Sequence, residues 1–312
     1  MKIGVDVMGG DYAPEAIIEG AVDTLKHLSA DETLVLLGDE GSINRKLDEM
    51  KIPVSSFMIV PTTQVIEMGD HPAKAFPQKE DSSIAVGFVM LKKGLLDGFC
   101  SAGNTGAMLV GASYTVNVIP GVLRPALATI LPCIDGRDSV ILDIGLNPDC
   151  KPEVLVQYGI LGSLYAKFVL EIENPTVGLL NIGAESGKGS TVVRSAYELM
   201  KENKNLNFIG NIEGHALFHE NITDVVVCDG FTGNIVLKEA EAIYSITNKI
   251  GISHPFLDRL NFENIGGTPV VGVNANVVIG HGISKRKAVK NMILQTRAVV
   301  KANLAQKIIE AI

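Results

Sequence analysis

The chain has 312 residues and a formal net charge of −8, and its aromatic residues amount to only 5%, with no Trp. A nucleic-acid-binding protein is expected to carry a basic balance and stacking aromatic side chains, so this composition argues against nucleic acid as a partner. Hydrophobic residues make up 46% of the chain and charged residues 20%. That balance supports one α/β domain over residues 1–312, or two lobes that share one sheet.

Short β-branched runs alternate with longer helical patterns, which predicts a mostly parallel sheet with helices on both faces. In chain order, the predicted strands are residues 2–7, 33–37, 57–60, 98–101, 126–132, 139–143, 176–181, 207–211 and 224–229. The predicted helices are residues 14–27, 104–117, 152–170 and 191–202. Residues 269–280 are typical of a β-hairpin. Residues 284–311 predict one long closing helix with Ser284 as its N-cap, and residues 251–267 predict an irregular surface segment.

The cysteines and the apolar runs predict a cytoplasmic protein with reduced, mostly buried thiols. No Cys-x-x-Cys pair is present, and the first apolar run is too short for a signal peptide. The most apolar stretch, residues 107–123, contains Pro120 and several polar side chains, so no membrane-spanning helix is predicted. His215 and His219 lie four residues apart without a Glu between them, and no metal site is predicted there.

Clusters of Gly, Asn, Asp and Thr follow four of the predicted strands. They occupy residues 101–105, 143–147, 181–183 and 229–234. Ligands of open α/β sheets bind at the carboxyl ends of strands, near helix N-termini that favour anions. One such cluster would indicate an ordinary strand-to-helix turn. Four of them favour a ligand site rich in N–H donors.

Two residues near these clusters are candidates for chemistry. Residues 183–190 have the composition of a nucleotide phosphate loop but not its spacing, because Gly189 follows Lys188 where Ser or Thr is required. Lys188 would still suit phosphate as a point charge at a helix start, and a solvated surface lysine is the alternative. His281 lies between two glycines, which suits either an accessible acid/base or anion-binding group, or a structural turn.

Four cations, Lys285, Arg286, Lys287 and Lys290, lie at the start of the predicted closing helix. They form either a solvated helix face or a docking surface for an acidic protein. The sequence contains no Gly-x-Ser-x-Gly nucleophile motif and no dinucleotide fingerprint. The absence of a nucleophile motif is compatible with direct transfer between two bound substrates.

Several motifs together resemble one known family, the phosphate acyltransferases of bacterial phospholipid synthesis. The resemblance covers essentially the whole chain in the expected order. The matching stretches are residues 6–11, 101–107, 124–126, 178–183, 188–189, 210–214, 228–234, 266–269 and 280–284. The sequence departs from the family pattern at Ala184, at His215-Ala216 and at Asn276, and residues 240–265 are shorter than the amphipathic helical pair of many relatives.

The resemblance implies transfer of a fatty acyl group from acyl carrier protein to inorganic phosphate, giving acyl phosphate for a membrane-bound glycerol-3-phosphate acyltransferase. It implies a three-layer α/β/α sandwich similar to isocitrate and isopropylmalate dehydrogenases and phosphotransacetylase. It also implies a homodimer without metal or organic cofactor that associates peripherally with the membrane. Two alternatives stay open: a phosphotransacetylase that uses acyl-CoA, and a non-catalytic scaffold of lipid-synthesis enzymes.

The candidate site residues follow from the clusters and the resemblance together. Lys188, Asn234 and His281 are the predicted catalytic residues. The predicted phosphate- and substrate-binding residues are Asp6, Gly10, Ser101, Asn104, Thr105, Asn147, Asn181 and Asp229. Asp6 and Asp229 are expected to orient donors, because bare carboxylates would repel phosphate. Carrier-protein docking is assigned to Lys285, Arg286 and Lys287.

Overall fold

The structure, a computed structural model, describes residues 1–219 and 223–312. The chain divides into two compact units. Unit 1 comprises Met1–Val118 and Glu263–Lys301, and unit 2 comprises Ile119–Phe262 and Ala302–Ile312. The backbone therefore passes from one unit to the other at three places along the sequence.

The strands agree closely with the sequence prediction. They are β1 (Lys2–Asp6), β2 (Thr33–Gly38), β3 (Met58–Pro61), β4 (Gly98–Ser101), β5 (Ala126–Pro132), β6 (Asp138–Leu142), β7 (Thr176–Asn181), β8 (Asn207–Glu213), β9 (Val225–Val227), β10 (Gly267–Val271) and β11 (Asn276–Gly280). The predicted hairpin is confirmed, since β10 and β11 pair antiparallel.

The helices are more numerous than predicted. They are α1 (Glu15–Thr24), α2 (Glu40–Glu49), α3 (Pro72–Gln78), α4 (Ser83–Lys92), α5 (Thr105–Val110), α6 (Pro152–Phe168), α7 (Thr191–Glu202), α8 (Gly230–Lys249), α9 (Pro255–Arg259), α10 (Phe262–Ile265), α11 (Arg286–Lys301) and α12 (Leu304–Ala311). A π-helical turn, Gly111–Thr115, continues α5.

In unit 1 the strands follow the order β3-β2-β1-β4-β11-β10, and every pair except the hairpin is parallel. Successive side chains of a strand point to opposite faces of the sheet. Ile3 and Val5 of β1 belong to a buried apolar cluster with Ile17 of α1 and Val289 of α11. The opposite face contacts α4, where Phe88 and Phe99 meet edge to face. Helices on both faces confirm the predicted α/β class.

A buried carboxylate joins α11 to the start of β2. Glu32 lies just before β2, and its side chain is only 3% exposed; it accepts from Arg297 Nε at 2.8 Å and pairs with Lys301 Nζ at 2.9 Å. Burial raises the pKa of Glu32, but hydrogen bonds from Arg297, the Ser29 backbone and Lys301 outweigh it and lower the pKa to about 2.

Glu32→Gln is expected to destabilise the protein at neutral pH by about 2 kcal/mol, because the buried carboxylate loses its ion pairs with the partly exposed Arg297 and Lys301. The pKa of the native carboxyl is depressed, so its contribution is present above pH 4.5 and is lost as the pH falls from 4.5 to about 2. The urea unfolding midpoints of the native protein and of Glu32→Gln, measured from pH 7 to pH 3, should therefore approach each other as the pH falls. A constant difference over that range would contradict the assignment.

In unit 2 the strands follow the order β5-β6-β9-β7-β8, with β5 and β6 antiparallel and the other pairs parallel. Helix α6 packs on β6 and β9, α7 packs on β7 and β8, and α12 packs on α6. Gly162 of α6 approaches Val225 and Leu142 so closely that a larger side chain would clash. This close approach seats α6 on the middle of the sheet.

Three predictions for the C-terminal part were wrong. The closing helix is not continuous, because Asn303 adopts a left-handed conformation with φ of 51° between α11 and α12. Ser284 does not cap it, since α11 begins at Arg286 and the buried Ser284 hydroxyl has no hydrogen-bond partner in the described chain. Residues 251–267 contain the short helices α9 and α10 instead of an irregular segment. Among the described residues, no helix has the length and apolarity needed to cross a membrane.

Candidate active site

In unit 1, the loops after β1, β4 and β11 meet at Gly10. This residue has φ of +104°, a conformation that favours glycine. A Cβ atom there would lie 3.1 Å from the Gly282 carbonyl and 3.2 Å from the Ala102 carbonyl. The Asp11 amide donates to the Gly282 carbonyl at 2.8 Å. Three predicted strand ends therefore converge on one small region of backbone.

A buried hydrogen-bond network behind these loops fixes their shape. Ser101 Oγ donates to Asp6 Oδ2 at 2.6 Å and accepts from the Gly103 amide at 2.9 Å. The Met8 amide donates to Asp6 Oδ1 at 3.0 Å. Burial raises the pKa of Asp6, and the hydrogen bond from Ser101 lowers it in part. Asp6 and Ser101 thus hold the backbone of these loops, and the role of Asp6 in orienting phosphate-binding donors stays a prediction.

The Asn104 side chain is fully engaged within unit 1. Its Oδ1 accepts from the Ala107 amide at 3.0 Å and so caps α5. Its Nδ2 donates to the carbonyls of residues 67, 68 and 70 at 3.0, 3.3 and 3.0 Å. Asn104 was predicted to contact phosphate, and in the structure its polar side-chain atoms contact the protein. Its neighbour Thr105, the first residue of α5, is exposed.

His281 follows β11 directly and its side chain is exposed. The Ile283 amide donates to His281 Nδ1 at 3.3 Å, and the Ser284 amide donates to the His281 carbonyl at 2.9 Å. Because Nδ1 accepts a hydrogen bond, the neutral imidazole carries its proton on Nε2. The Nδ1 side of the ring is therefore held by its own loop.

The predicted docking cations differ in their surroundings. Arg286 forms a bidentate ion pair with Asp23, from Nε at 2.5 Å and from Nη2 at 2.6 Å, and this hydrogen bonding lowers the pKa of Asp23. Lys285 Nζ lies 5.0 Å from the centre of the Tyr12 ring. Lys287 is exposed. Two of the three cations, Lys285 and Lys287, thus carry charge that no carboxylate neutralises within the described chain.

In unit 2, Asp143 organises the loop after β6. Its side chain is fully buried. Oδ1 accepts from the amides of Leu127 and Leu146 at 3.0 and 3.2 Å. Oδ2 accepts from the amide and the side-chain Nδ2 of Asn147 at 2.6 and 3.1 Å. One carboxylate thus satisfies four donors and sets the path of residues 143–147.

Asn147, a predicted phosphate ligand, links this loop to its surroundings. Its Nδ2 also donates to the Pro125 carbonyl at 2.8 Å, and its Oδ1 accepts from Arg124 Nη1 at 3.4 Å. The Gly230 amide, at the first residue of α8, donates to the Asn147 carbonyl at 2.8 Å. Asn147 therefore joins the ends of β6 and β9, and its polar side-chain atoms are engaged by the protein.

Helix α8 begins on top of this loop. Asp229 Oδ1 accepts from the Thr232 amide at 2.7 Å and caps the helix. Gly233 packs so closely on the Asp143 carbonyl and on Cys228 that only glycine fits. Asn234 is exposed one residue later, and a Cβ on Gly145 would lie 3.7 Å from its Cβ and Oδ1. The first turn of α8 thus presents the Asn234 side chain beside the loop after β6.

Lys188 lies in the loop between β7 and α7, two residues before the Ser190 cap of α7, and its side chain is exposed. Asn181 Nδ2 donates to the Lys188 carbonyl at 3.1 Å, and Asn211 Nδ2 donates to the Glu185 carbonyl at 3.0 Å. Asn181, another predicted phosphate ligand, therefore closes the loop. Lys188 is at a helix start, as the sequence predicted.

Three of the four cysteines are poor nucleophiles. All four are free, and three of them are buried. Burial raises the pKa of Cys100 to about 12 and that of the half-buried Cys150 to about 11, and it also raises the pKa of Cys228. The thiolate is the reactive form of cysteine, so these groups stay unreactive at neutral pH.

Sequence reasoning missed two residues of unit 2. The sequence indicates Asp143 only as one member of a strand-end cluster, and Arg124 only as one member of a family motif. A buried aspartate just after a strand and before Gly and Asn is a usable signal, because such a carboxylate must be satisfied by nearby amides. The position of Arg124 beside Asn147 depends on a contact between residues 23 positions apart, which no local pattern indicates.

Known protein sequences match the chain over nearly its whole length. A family model described as "Fatty acid synthesis protein" matches residues 1–307. The chain is 40% identical to the phosphate acyltransferase of Dictyoglomus turgidum over 331 residues, which covers 100% of this chain and 98% of that one. It is also 40% identical to the phosphate acyltransferase of Halothermothrix orenii, covering 97% and 96% of the two chains.

Solved structures share the fold. A phosphotransacetylase from Streptococcus pyogenes matches with a TM-score of 0.67 at 16% identity, covering 96% of this chain and 94% of the other. A branched-chain phosphotransacylase from Enterococcus faecalis matches with a TM-score of 0.66 at 11% identity, covering 96% and 99%. At these identities the likeness concerns the fold alone. With full-length relatives named for acyl transfer to phosphate, the chain belongs to the phosphate acyltransferases of the fatty acid synthesis protein family and is an acyltransferase.

Proposed function

We propose that this enzyme transfers a fatty acyl group from acyl carrier protein to inorganic phosphate and releases acyl phosphate and free carrier protein. A phosphate oxygen attacks the thioester carbonyl, the C–S bond breaks, and the thiolate leaves on the carrier's arm. The product supplies an acyltransferase that acylates glycerol 3-phosphate at the membrane. We further propose that the enzyme acts as a homodimer in the cytoplasm, peripherally associated with the membrane.

The observation that carries the proposal is the pair of strand-end loops held by buried carboxylates. Asp6 of unit 1 and Asp143 of unit 2 are both buried and accept from backbone amides of their own loops, so glycine-rich backbone and neutral side chains are left at the surface of each loop. Such preorganised donors stabilise a developing oxyanion without reorganisation. The raised pKa values of Cys100, Cys150 and Cys228 keep these three thiols protonated at neutral pH, which favours direct attack by phosphate over an acyl intermediate on any of them.

Roles follow from exposure and chemistry. Lys188 neutralises phosphate, and Asn234 and Thr105 orient phosphate or carbonyl oxygens. His281 donates from Nε2, either to phosphate or to the departing sulfur. An ordinary thiol has a pKa of about 8.5, so its thiolate leaves readily. The enzyme must therefore mainly position the phosphate and the thioester and stabilise the negative charge that develops between them. Asp6, Ser101, Asn104, Asn147, Asn181 and Asp229 hold these groups in place.

The deciding experiment traps the product. Purified protein is incubated with long-chain acyl carrier protein and phosphate, and acyl phosphate is converted to its hydroxamate with hydroxylamine. We expect phosphate-dependent hydroxamate with the carrier protein and little with acyl-CoA. Equal or better turnover with acyl-CoA would instead assign a phosphotransacetylase. A folded sample without turnover, beside an active control enzyme, would reject the proposal.

Carrier-protein docking gives a further prediction. Reversal of Lys285 and Lys287 to Glu is expected to raise the KM for acyl carrier protein about fivefold at low salt, since accessible cations steer an acidic partner. Arg286 is left in place because Asp23 already pairs with it. The control reverses the exposed Lys201 and Lys204, which changes the net charge equally. A KM that rises as much in the control, or that is independent of salt, would contradict docking at this surface.

A further inference from the structure

A cavity of about 590 Å³ opens in unit 2 between the loop before β5 and the start of α6. Two cations, Arg124 and Lys151, and two carboxylates, Asp149 and Glu153, line it. The cavity is within the size range of small-molecule sites. No sequence motif pointed to it, because its walls come from two separate segments of the chain.

The charges around this cavity are unpaired. None of these four side chains forms an ion pair within residues 1–219 and 223–312. The remaining lining is an apolar pair, Leu123 and Val154, together with the Cys150 thiol. Burial keeps that thiol protonated, with a pKa of about 11. The cavity thus offers cations, acceptors and apolar surface side by side.

The cavity is joined to the loop after β6 through Asn147. Arg124 Nη1 donates to Asn147 Oδ1 at 3.4 Å, and Cys150 Sγ donates to the Asn147 carbonyl at 3.5 Å. The same carbonyl accepts from the Gly230 amide at the start of α8. A ligand in the cavity therefore lies next to the loop after β6, which Asn234 of α8 adjoins.

We propose that this cavity binds the phosphopantetheine arm of the acyl donor, an inference that rests on the proposed use of a thioester donor. The arm carries one phosphodiester, two amides, a hydroxyl and a gem-dimethyl group. Lys151 and Arg124 match the phosphodiester, Asp149 and Glu153 accept from the N–H and O–H groups, and the apolar pair contacts the methyl groups. Acyl carrier proteins and CoA share this arm, so the cavity would bind a group that is common to both donors.

Lys151 gives the cleanest test, because its side chain makes no capping bond to α6 and its loss should leave the fold intact. We measure dissociation constants of 4′-phosphopantetheine and pantetheine by calorimetry. The native enzyme is expected to bind 4′-phosphopantetheine about tenfold more tightly than pantetheine. Lys151→Gln is expected to reduce this ratio of dissociation constants to nearly one. Lys167→Gln, at the far end of α6, is the matched control and should keep it. An unchanged ratio in folded Lys151→Gln would overturn the proposal.

Kinetics distinguish the arm from its carrier. Lys151→Gln should raise the KM for acyl carrier protein and the KM for any acyl-CoA turnover about fivefold, with the phosphate KM unchanged. A rise confined to the carrier protein would indicate contact with the protein surface and overturn the arm as ligand. Absence of turnover with every donor would reject the proposed function, while the calorimetric ratio would still decide whether the cavity recognises the phosphate.

Discussion

Lys188→Ala is expected to raise the KM for phosphate by about ten- to a hundredfold, because a hydrogen bond to a charged group contributes about 1.5–3 kcal/mol. The side chain projects from a loop that two asparagine side chains close through main-chain carbonyls. Those bonds do not involve the lysine side chain, so the loop should keep its shape. The measurement is the phosphate dependence of hydroxamate formation at saturating donor.

Two further variants define the result. Lys188→Arg keeps a cation and should restore part of the affinity for phosphate. It should not restore all of it, because a guanidinium group differs in geometry from an ammonium group. Lys201→Ala removes an exposed lysine from the last turn of the helix that follows this loop, α7, and should have native kinetics. An unchanged phosphate KM in Lys188→Ala, with native circular dichroism, would remove Lys188 from the site and leave it as a solvated surface residue.

Asp143→Ala is expected to destabilise the protein by about 3–5 kcal/mol, because a buried charged partner is removed and its donors stay behind. Three of those donors are main-chain amides that no rotamer change can turn away. Asp143→Asn should also be costly, since its amide nitrogen would face donors of Asn147. Urea unfolding monitored by circular dichroism measures the loss.

Asp149→Ala is the control for this substitution. Asp149 is exposed and lies six residues further along the chain. Its removal should shift the unfolding midpoint little, since surface substitutions usually change stability by less than about 0.5 kcal/mol. A midpoint for Asp143→Ala as high as that of Asp149→Ala would mean that the loop does not depend on its buried carboxylate.

The parts of the fold that were predicted from sequence are those in which local preference and tertiary packing agree. Strands β4, β5 and β7 and helix α7 have the predicted bounds, because an apolar run or a 3.6-residue pattern ends there at Ser, Pro or Asn. Helix α8 was missed. Gly230 and Gly233 disfavour a helix by about 1 kcal/mol each relative to Ala, and close packing on the loop after β6 overrides that preference.

The candidate site shows a different limit. A turn asparagine can bind a ligand or hold its own loop, and both uses select the same residue type at the same place. Asn104, Asn147 and Asn181 were all predicted as phosphate ligands, yet each one donates to main-chain carbonyls. Exposure distinguishes the two uses, and exposure depends on neighbours distant in sequence. For Lys188, Asn234 and His281, the structure adds that their side chains are accessible.

The left-handed residue Asn303 has a consequence for synthesis on the ribosome. It ends α11 and lets α12 join unit 2, where Leu304 and Ile308 are buried and Lys307 lies 5.6 Å from the Phe168 ring. The last segment of each unit is therefore synthesised only after most of the other unit. Translation supplies N-terminal segments first, so neither unit can be complete while the nascent chain still lacks its last forty residues or so. Truncation or a stalled ribosome near residue 300 should therefore leave α6 uncovered and the nascent enzyme prone to aggregation.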